Sequence, residues 1–194
     1  MRSVLLPLAL SFAFTSAFAQ SSDDYTLKPA PSVKEITKGI IRVANLYNRS
    51  ITCGTEELEP DEGVQPQDIA ALIPWKDELD QFNAKFAVIL GGDIGCLGGS
   101  GTYLNYLVIM KVGRWGDFYV DVTDELPVFD LPTRFVTRLV GNTADTIIID
   151  ALVHRENDSN NFPTQKVRYT LQKEAGQRTG WKVIEKKNMG IHSY

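Results

Sequence analysis

The amino-acid sequence predicts an α+β fold, with N-terminal helices packed on a twisted antiparallel sheet of about six or seven strands. Three observations predict it. Apolar residues recur every three or four positions between Val33 and Tyr47, but the period falls to two after Lys85. The later strand patterns are joined by short links containing glycine or asparagine, as hairpins are. Several of those strands alternate apolar and polar side chains, which leaves one face in water, as antiparallel sheets allow.

The first element is a leader. Arg2 precedes the apolar run Val4-Leu5-Leu6-Pro7-Leu8-Ala9-Leu10, and Ala17-Phe18-Ala19 closes the segment. A basic start, a short apolar stretch and a small-x-small end read as a secretory signal peptide over residues 1–19. The apolar run is too short and interrupted for a stable bilayer span. Residues 20–31 hold Pro29 and Pro31 and read as a flexible lead-in, which leaves 32–194 as a single α+β domain.

Ser32-Val33-Lys34-Glu35 has the form of a capping box. Val33, Ile36, Ile40, Val43, Ala44 and Tyr47 then line one face of a helix from about 33 to 48. Residues 54–66 carry Glu56, Glu57, Glu59, Asp61 and Glu62 and read as a solvated acidic loop. A second helical region is expected over 67–83, interrupted by Pro74, with Trp75, Leu79 and Phe82 on its core face. Strands are expected at 86–90 and 103–112, with the latter in a hairpin with 117–122 that turns Phe118, Val120 and Val122 inward. Residues 124–133 read as a loop. Further hairpins are expected between 135–140 and 145–153, and between the alternating segments around Val167–Leu171 and Trp181–Val183.

Composition narrows the function. Twenty basic residues face 24 acidic ones, and no basic run occurs, so nucleic acid is not an expected partner. After the leader no segment is long and apolar enough to span a membrane. Cys53 and Cys96 are the only two cysteines, and in an oxidising compartment such a pair favours a disulfide. Closing that loop limits the unfolded chain by about 4 kcal/mol. The sequons Asn48-Arg49-Ser50 and Asn157-Asp158-Ser159 are best read as chance matches.

The outlying segment is Gly91-Gly92-Asp93-Ile94-Gly95-Cys96-Leu97-Gly98-Gly99-Ser100-Gly101-Thr102, with six of the chain's 15 glycines. Such glycines serve either a positive φ or a close approach to the backbone. The segment lacks the lysine of a phosphate-binding Walker loop and the spacing of a dinucleotide loop or hydrolase elbow. Its amides offer a nest for an anion or an acidic side chain, with Asp93, Ser100, Thr102 and Tyr103 as candidate binding residues. A tight strand connection pinned by Cys96 is the plainer reading and is preferred. Asp121, Asp124 and Glu125 could supply acid–base or cation chemistry, but carboxylates after a strand are routine. Asp93, His154 and Ser100 make a triad only on paper. No catalytic residue, metal site or cofactor is assigned.

The run from Ala87 to Thr102, followed by Phe118-Tyr119-Val120-Asp121, resembles a group of small exported bacterial proteins of unassigned role. Their pattern is A-V-x-x-x-G-D-x-G-C-x-G-G-S-G-T. The resemblance covers residues 84–185 and implies an envelope location without an activity. Ser100-Gly101 is also similar to the S-G-x-x-Y loop of periplasmic lysozyme inhibitors, although the tyrosine here is at 103 and not 104. The closing strands are similar to cystatin-like or NTF2-like rolls, a likeness of fold alone. The expected protein is therefore periplasmic or secreted. Its expected role is a non-enzymatic inhibitor or immunity protein for a protein partner in the cell envelope. A small hydrolase or a small-molecule carrier with a pocket in the roll is the alternative.

Overall fold

The computed structural model describes residues 26–53, 58, 68–99, 101–122, 133, 135–159, 161–174 and 181–194. The leader, most of the acidic loop, Ser100, Asp124 and Glu125 lie outside them, as does the loop through Gly176 and Gly180.

One α-helix leads the fold. It is α1, Val33–Ile51, and it starts as its sequence demands. The Ser32 hydroxyl accepts from the Glu35 amide at 3.3 Å, and the Glu35 carboxylate accepts from the Ser32 amide at 2.8 Å. Ile36, Ile40 and Ala44 form its buried stripe. At Thr52 the chain turns directly into strand β1, Thr52–Cys53.

The expected second helix is absent. Residues Ile69–Ile73 form strand β2, and only a single 3-10 turn, Glu78–Asp80, follows. Pro74 has no amide to extend a helix and biases Ile73 toward extended backbone. The β2 residues instead pair antiparallel with a neighbouring strand, Ile69 facing Val88 and Ala71 facing Phe86. Of the three residues expected on a helical core face, only Trp75 is buried, while Leu79 and Phe82 are exposed.

The described strands number nine and form two antiparallel sheets, where a single sheet of six or seven was expected. The first is organised around β3, Lys85–Ile94, and β4, Tyr103–Val112, paired from Lys85–Lys111 through Asp93–Tyr103. The far edge of β3 is shared, with β2 at its start and β1 at its end. Strand β5, Phe118–Val120, closes the outer side of β4. Phe118 and Val120 pack on the core as expected, but Val122 is exposed. The second sheet runs β6–β7–β8–β9 over Phe135–Asn142, Thr146–Val153, Gln165–Lys173 and Trp181–Ile191. Both expected hairpins of this region form.

One buried cluster draws on α1 and both sheets. Phe86 through Leu90 are all buried because β3 is covered on both faces. Phe86 and Tyr106 face α1, through the Phe86–Phe118 ring contact and the Tyr106–Asn48 hydrogen bond. The alternate residues face the second sheet, as the Tyr103–Phe135 ring contact shows. The Asn142 amide donates to the Ala71 carbonyl at 2.7 Å and ties the two sheets at β6. The odd-numbered residues of β7, among them Ile147 and Ile149, are buried, as are Val167, Tyr169 and Leu171 of β8. The even-numbered ones therefore stand on the outer face of the second sheet.

Candidate functional site

The glycine-rich segment is two structures in one. Gly91 and Gly92 are not loop residues but the middle of β3. They are glycine because side chains cross the strand there. A Cβ on Gly92 would lie 2.6 Å from the Thr52 side chain, and one on Gly91 would meet the Tyr103 hydroxyl. The loop proper begins at Gly95, whose φ of +73° completes a turn closed by the Cys96 amide on the Asp93 carbonyl.

Cys96 then bonds Cys53, with the two Cα atoms 5.0 Å apart. The bridge joins β1 to the tip of the β3–β4 hairpin. Cys96 is the only non-glycine residue with positive φ among the described residues, at +55°.

Asp93 is the organiser of this tip. Its carboxylate accepts from the Gly98 amide at 2.8 Å and from the Leu97 amide at 3.3 Å. The amides that a bound anion would use are thus taken at those two positions. Thr102 donates its hydroxyl to the Gly99 carbonyl at 3.1 Å. Tyr103 turns inward, its ring against Phe135 at 6.4 Å and its hydroxyl over Gly91. Asp93, Thr102 and Tyr103 therefore come together as the frame of the tip. The side chain left standing outward is Leu97, 78% exposed. Sequence reasoning passes over Leu97; its signal is that it is the one large apolar residue between Gly95 and Gly101.

Beneath the tip lies a buried polar network centred on Asn48, which is 1% exposed. The Asn48 amide donates to the Gly91 carbonyl at 2.9 Å, and its oxygen accepts from the Tyr106 hydroxyl at 2.6 Å. The Thr52 hydroxyl sits 2.7 Å from the Asn48 carbonyl and 2.9 Å from its side-chain oxygen. Burial, and then the neighbouring Tyr47 and Tyr103, push the Tyr106 hydroxyl well above the ordinary phenol value, so it stays a donor. The network fixes helix α1, strand β1 and the base of the hairpin together. It also closes the Asn48 sequon to glycosylation in the folded chain, whereas Asn157 is exposed.

The other candidates are dispersed. Asp121 is buried and forms an ion pair with Lys111 that clasps β4 to the end of β5. His154 is exposed just beyond β7. The Asp93 oxygens accept from loop amides, and Ser100 lies outside the described residues. No group of three His, Cys, Asp or Glu side chains among them could hold a metal ion. No helix among them is long and apolar enough to cross a membrane. Comparison with protein-family models, with curated proteins and with solved structures finds no match to this chain.

Proposed function

We propose that this chain is an exported, periplasmic or secreted, non-enzymatic binding protein that inhibits or neutralises a protein partner in the cell envelope. In this reading the tip of the β3–β4 hairpin enters a cleft of the partner. The observation that carries it is the bracing of that tip: a disulfide, the Asp93 turn and the Asn48 network hold an exposed Leu97 on a rigid frame. A contact already ordered before binding loses little conformational entropy on association. The leader pattern and the disulfide support the export half of the proposal. A wall-active enzyme or a delivered toxin fits as partner, since either offers a cleft that a narrow tip can block.

The test uses the oxidised protein as bait for envelope extract. The proposal expects one stoichiometric protein partner whose activity falls on binding. Capture is expected to be lost in Leu97→Asp and retained in a Val33→Asp control on the far side of α1. Undiminished capture by Leu97→Asp would overturn the assignment of the tip. Two titratable thiols on natively exported material would overturn the bracing itself.

A further inference from the structure

The outer face of the second sheet carries a groove of about 460 Å3, a size ordinary for small-molecule sites. Its charges come from a single cross-strand row. Arg138 on β6 faces Asp150 on β7, which faces Arg168 on β8. The Asp150 carboxylate accepts from Arg168 at 2.7 and 3.0 Å and from Arg138 Nε at 2.9 Å. Lys187 on β9 extends the row as the register partner of Arg168. Lys166 lines the groove one step along the sheet, facing Leu152.

The balance of these groups is uneven. Asp150 is the one acid in the lining, against Arg138, Arg168 and Lys166. Glu185, the acid nearest on β9, accepts from the Thr170 hydroxyl instead, at 3.1 Å. Arg138 and Arg168 both turn Nε and Nη2 to Asp150, and neither Nη1 has a partner among the described residues. Lys166 makes no ion pair among them. Lys187 stands directly opposite Arg168 on the neighbouring strand, a like-charge pair that costs stability. Here a cationic excess is gathered on a chain whose net charge is −4.

The other part of the lining is apolar. Leu152 points away from the core yet is only 8% exposed, and Met189 lines the groove from the register shift on β9, between the Lys166–Gly190 and Val167–Asn188 pairs. We infer that the groove binds an oxyanion head carried on a short apolar chain, its head between Lys166 and the Asp150-ordered pair Arg138 and Arg168, its chain along Leu152 and Met189. Asp150 holds both guanidinium forks in place before the ligand arrives, so little side-chain ordering remains to be done on binding. This inference is independent of the hairpin tip and of any protein partner.

Octanoate and octyl phosphate, below their micellar concentrations, are the probes. Titration calorimetry and amide chemical-shift mapping are run on the oxidised, exported protein. At least one probe is expected to bind, with shifts centred on Lys166, Arg168 and Met189. Lys166→Glu is expected to weaken it about tenfold or more, with an unchanged circular dichroism spectrum. Arg138→Gln is a second variant should Lys166→Glu misfold, and it is expected to weaken binding in the same direction. Failure of both probes, equal binding of neutral octyl glucoside or of inorganic phosphate, or unchanged affinity in both variants would each overturn the inference. Phosphatidylglycerol vesicles form a second arm. Retention that Lys166→Glu abolishes assigns a lipid headgroup as the source of the anion. No retention, with a soluble probe bound, assigns a free small molecule.

Discussion

At the hairpin tip Asp93 takes the amides of Leu97 and Gly98 and Thr102 takes the carbonyl of Gly99. On the outer face of the second sheet, two guanidiniums hold the one carboxylate of Asp150, and Lys166 lines the same groove one step along. The contrast shows how differently two surfaces of one fold can be prepared for a ligand. A surface that satisfies its own polar groups can offer only shape and apolar area. A surface with spare donors offers charge. Polar residues clustered in sequence do not by themselves mark a polar site, because the fold can turn them on one another.

The strongest way to break the comparison is to release the tip. Cys53→Ala with Cys96→Ala frees the constraint on the unfolded chain and is expected to lower stability by about 4 kcal/mol. Urea denaturation at fixed pH measures it. In that variant the amides at Gly95 and position 96 are expected to exchange by local opening, faster than those of β7 and β8, which follow the global loss. If the tip amides exchange no faster than those of β7 and β8, the tip is not a separately braced region.

The next effect in size comes from beneath the tip. Asn48→Ala leaves the Gly91 carbonyl and the Tyr106 hydroxyl buried without their shared partner. A loss of about 3 kcal/mol is expected, since two buried polar groups are orphaned at once. Tyr106→Phe removes only one of them and is expected to cost about 1 kcal/mol. The pair of denaturation curves decides whether Asn48 is the hub. Equal losses in the two variants would give that place to Tyr106.

Much of the tip is legible in the sequence, and little of the groove is. Ser32 and Glu35 announce the start of α1 because capping chemistry is local. The Cys53–Cys96 pair was readable because only one pairing exists. Ile69-Ala70-Ala71-Leu72-Ile73 falls in the helical region expected over 67–83, yet pairing with the edge of β3 decides for strand. Gly91 and Gly92 look like loop in the sequence because what makes them necessary, Thr52 and Tyr103, lies elsewhere in the chain. Arg138, Asp150 and Arg168 form no motif, being 12 and 18 residues apart; only strand register aligns them. Leu97 stood in plain view, but its exposure depends on Asp93 folding inward.

On the second sheet the expected effect is smaller and depends on pH. Burial alone would raise the Asp150 carboxyl, but the hydrogen bonds from Arg168 and then Arg138 outweigh it and hold the group below the ordinary carboxylate value. A carboxyl lowered in the folded state stabilises when ionised. Its contribution is therefore complete above the unfolded value, about 3.9, and is lost as pH falls through the lower folded value. Asp150→Asn is expected to cost about 1 kcal/mol at pH 7, a modest figure because Arg138 is half exposed. The gap between wild type and variant should stay constant from about pH 7 to 5 and close below about pH 4. A gap that did not narrow at all as the pH falls below about 4 would mean that Asp150 acts through packing and not through its charge.

The smallest stability effect sharpens the comparison most. Leu97 touches solvent over most of its surface, so Leu97→Asp is expected to change folding stability by less than about 0.5 kcal/mol. The same substitution places a charge where a partner's cleft must be apolar, and a desolvated, unpaired carboxylate there is expected to weaken association by two orders of magnitude or more. Stability and binding therefore separate at this one residue, as they cannot at Asn48, where a damaged network would lower both. Denaturation midpoint and partner affinity measured on the same preparation test the separation. If Leu97→Asp lowers stability as much as binding, the side chain is structural, and the tip loses its claim to be a prepared contact.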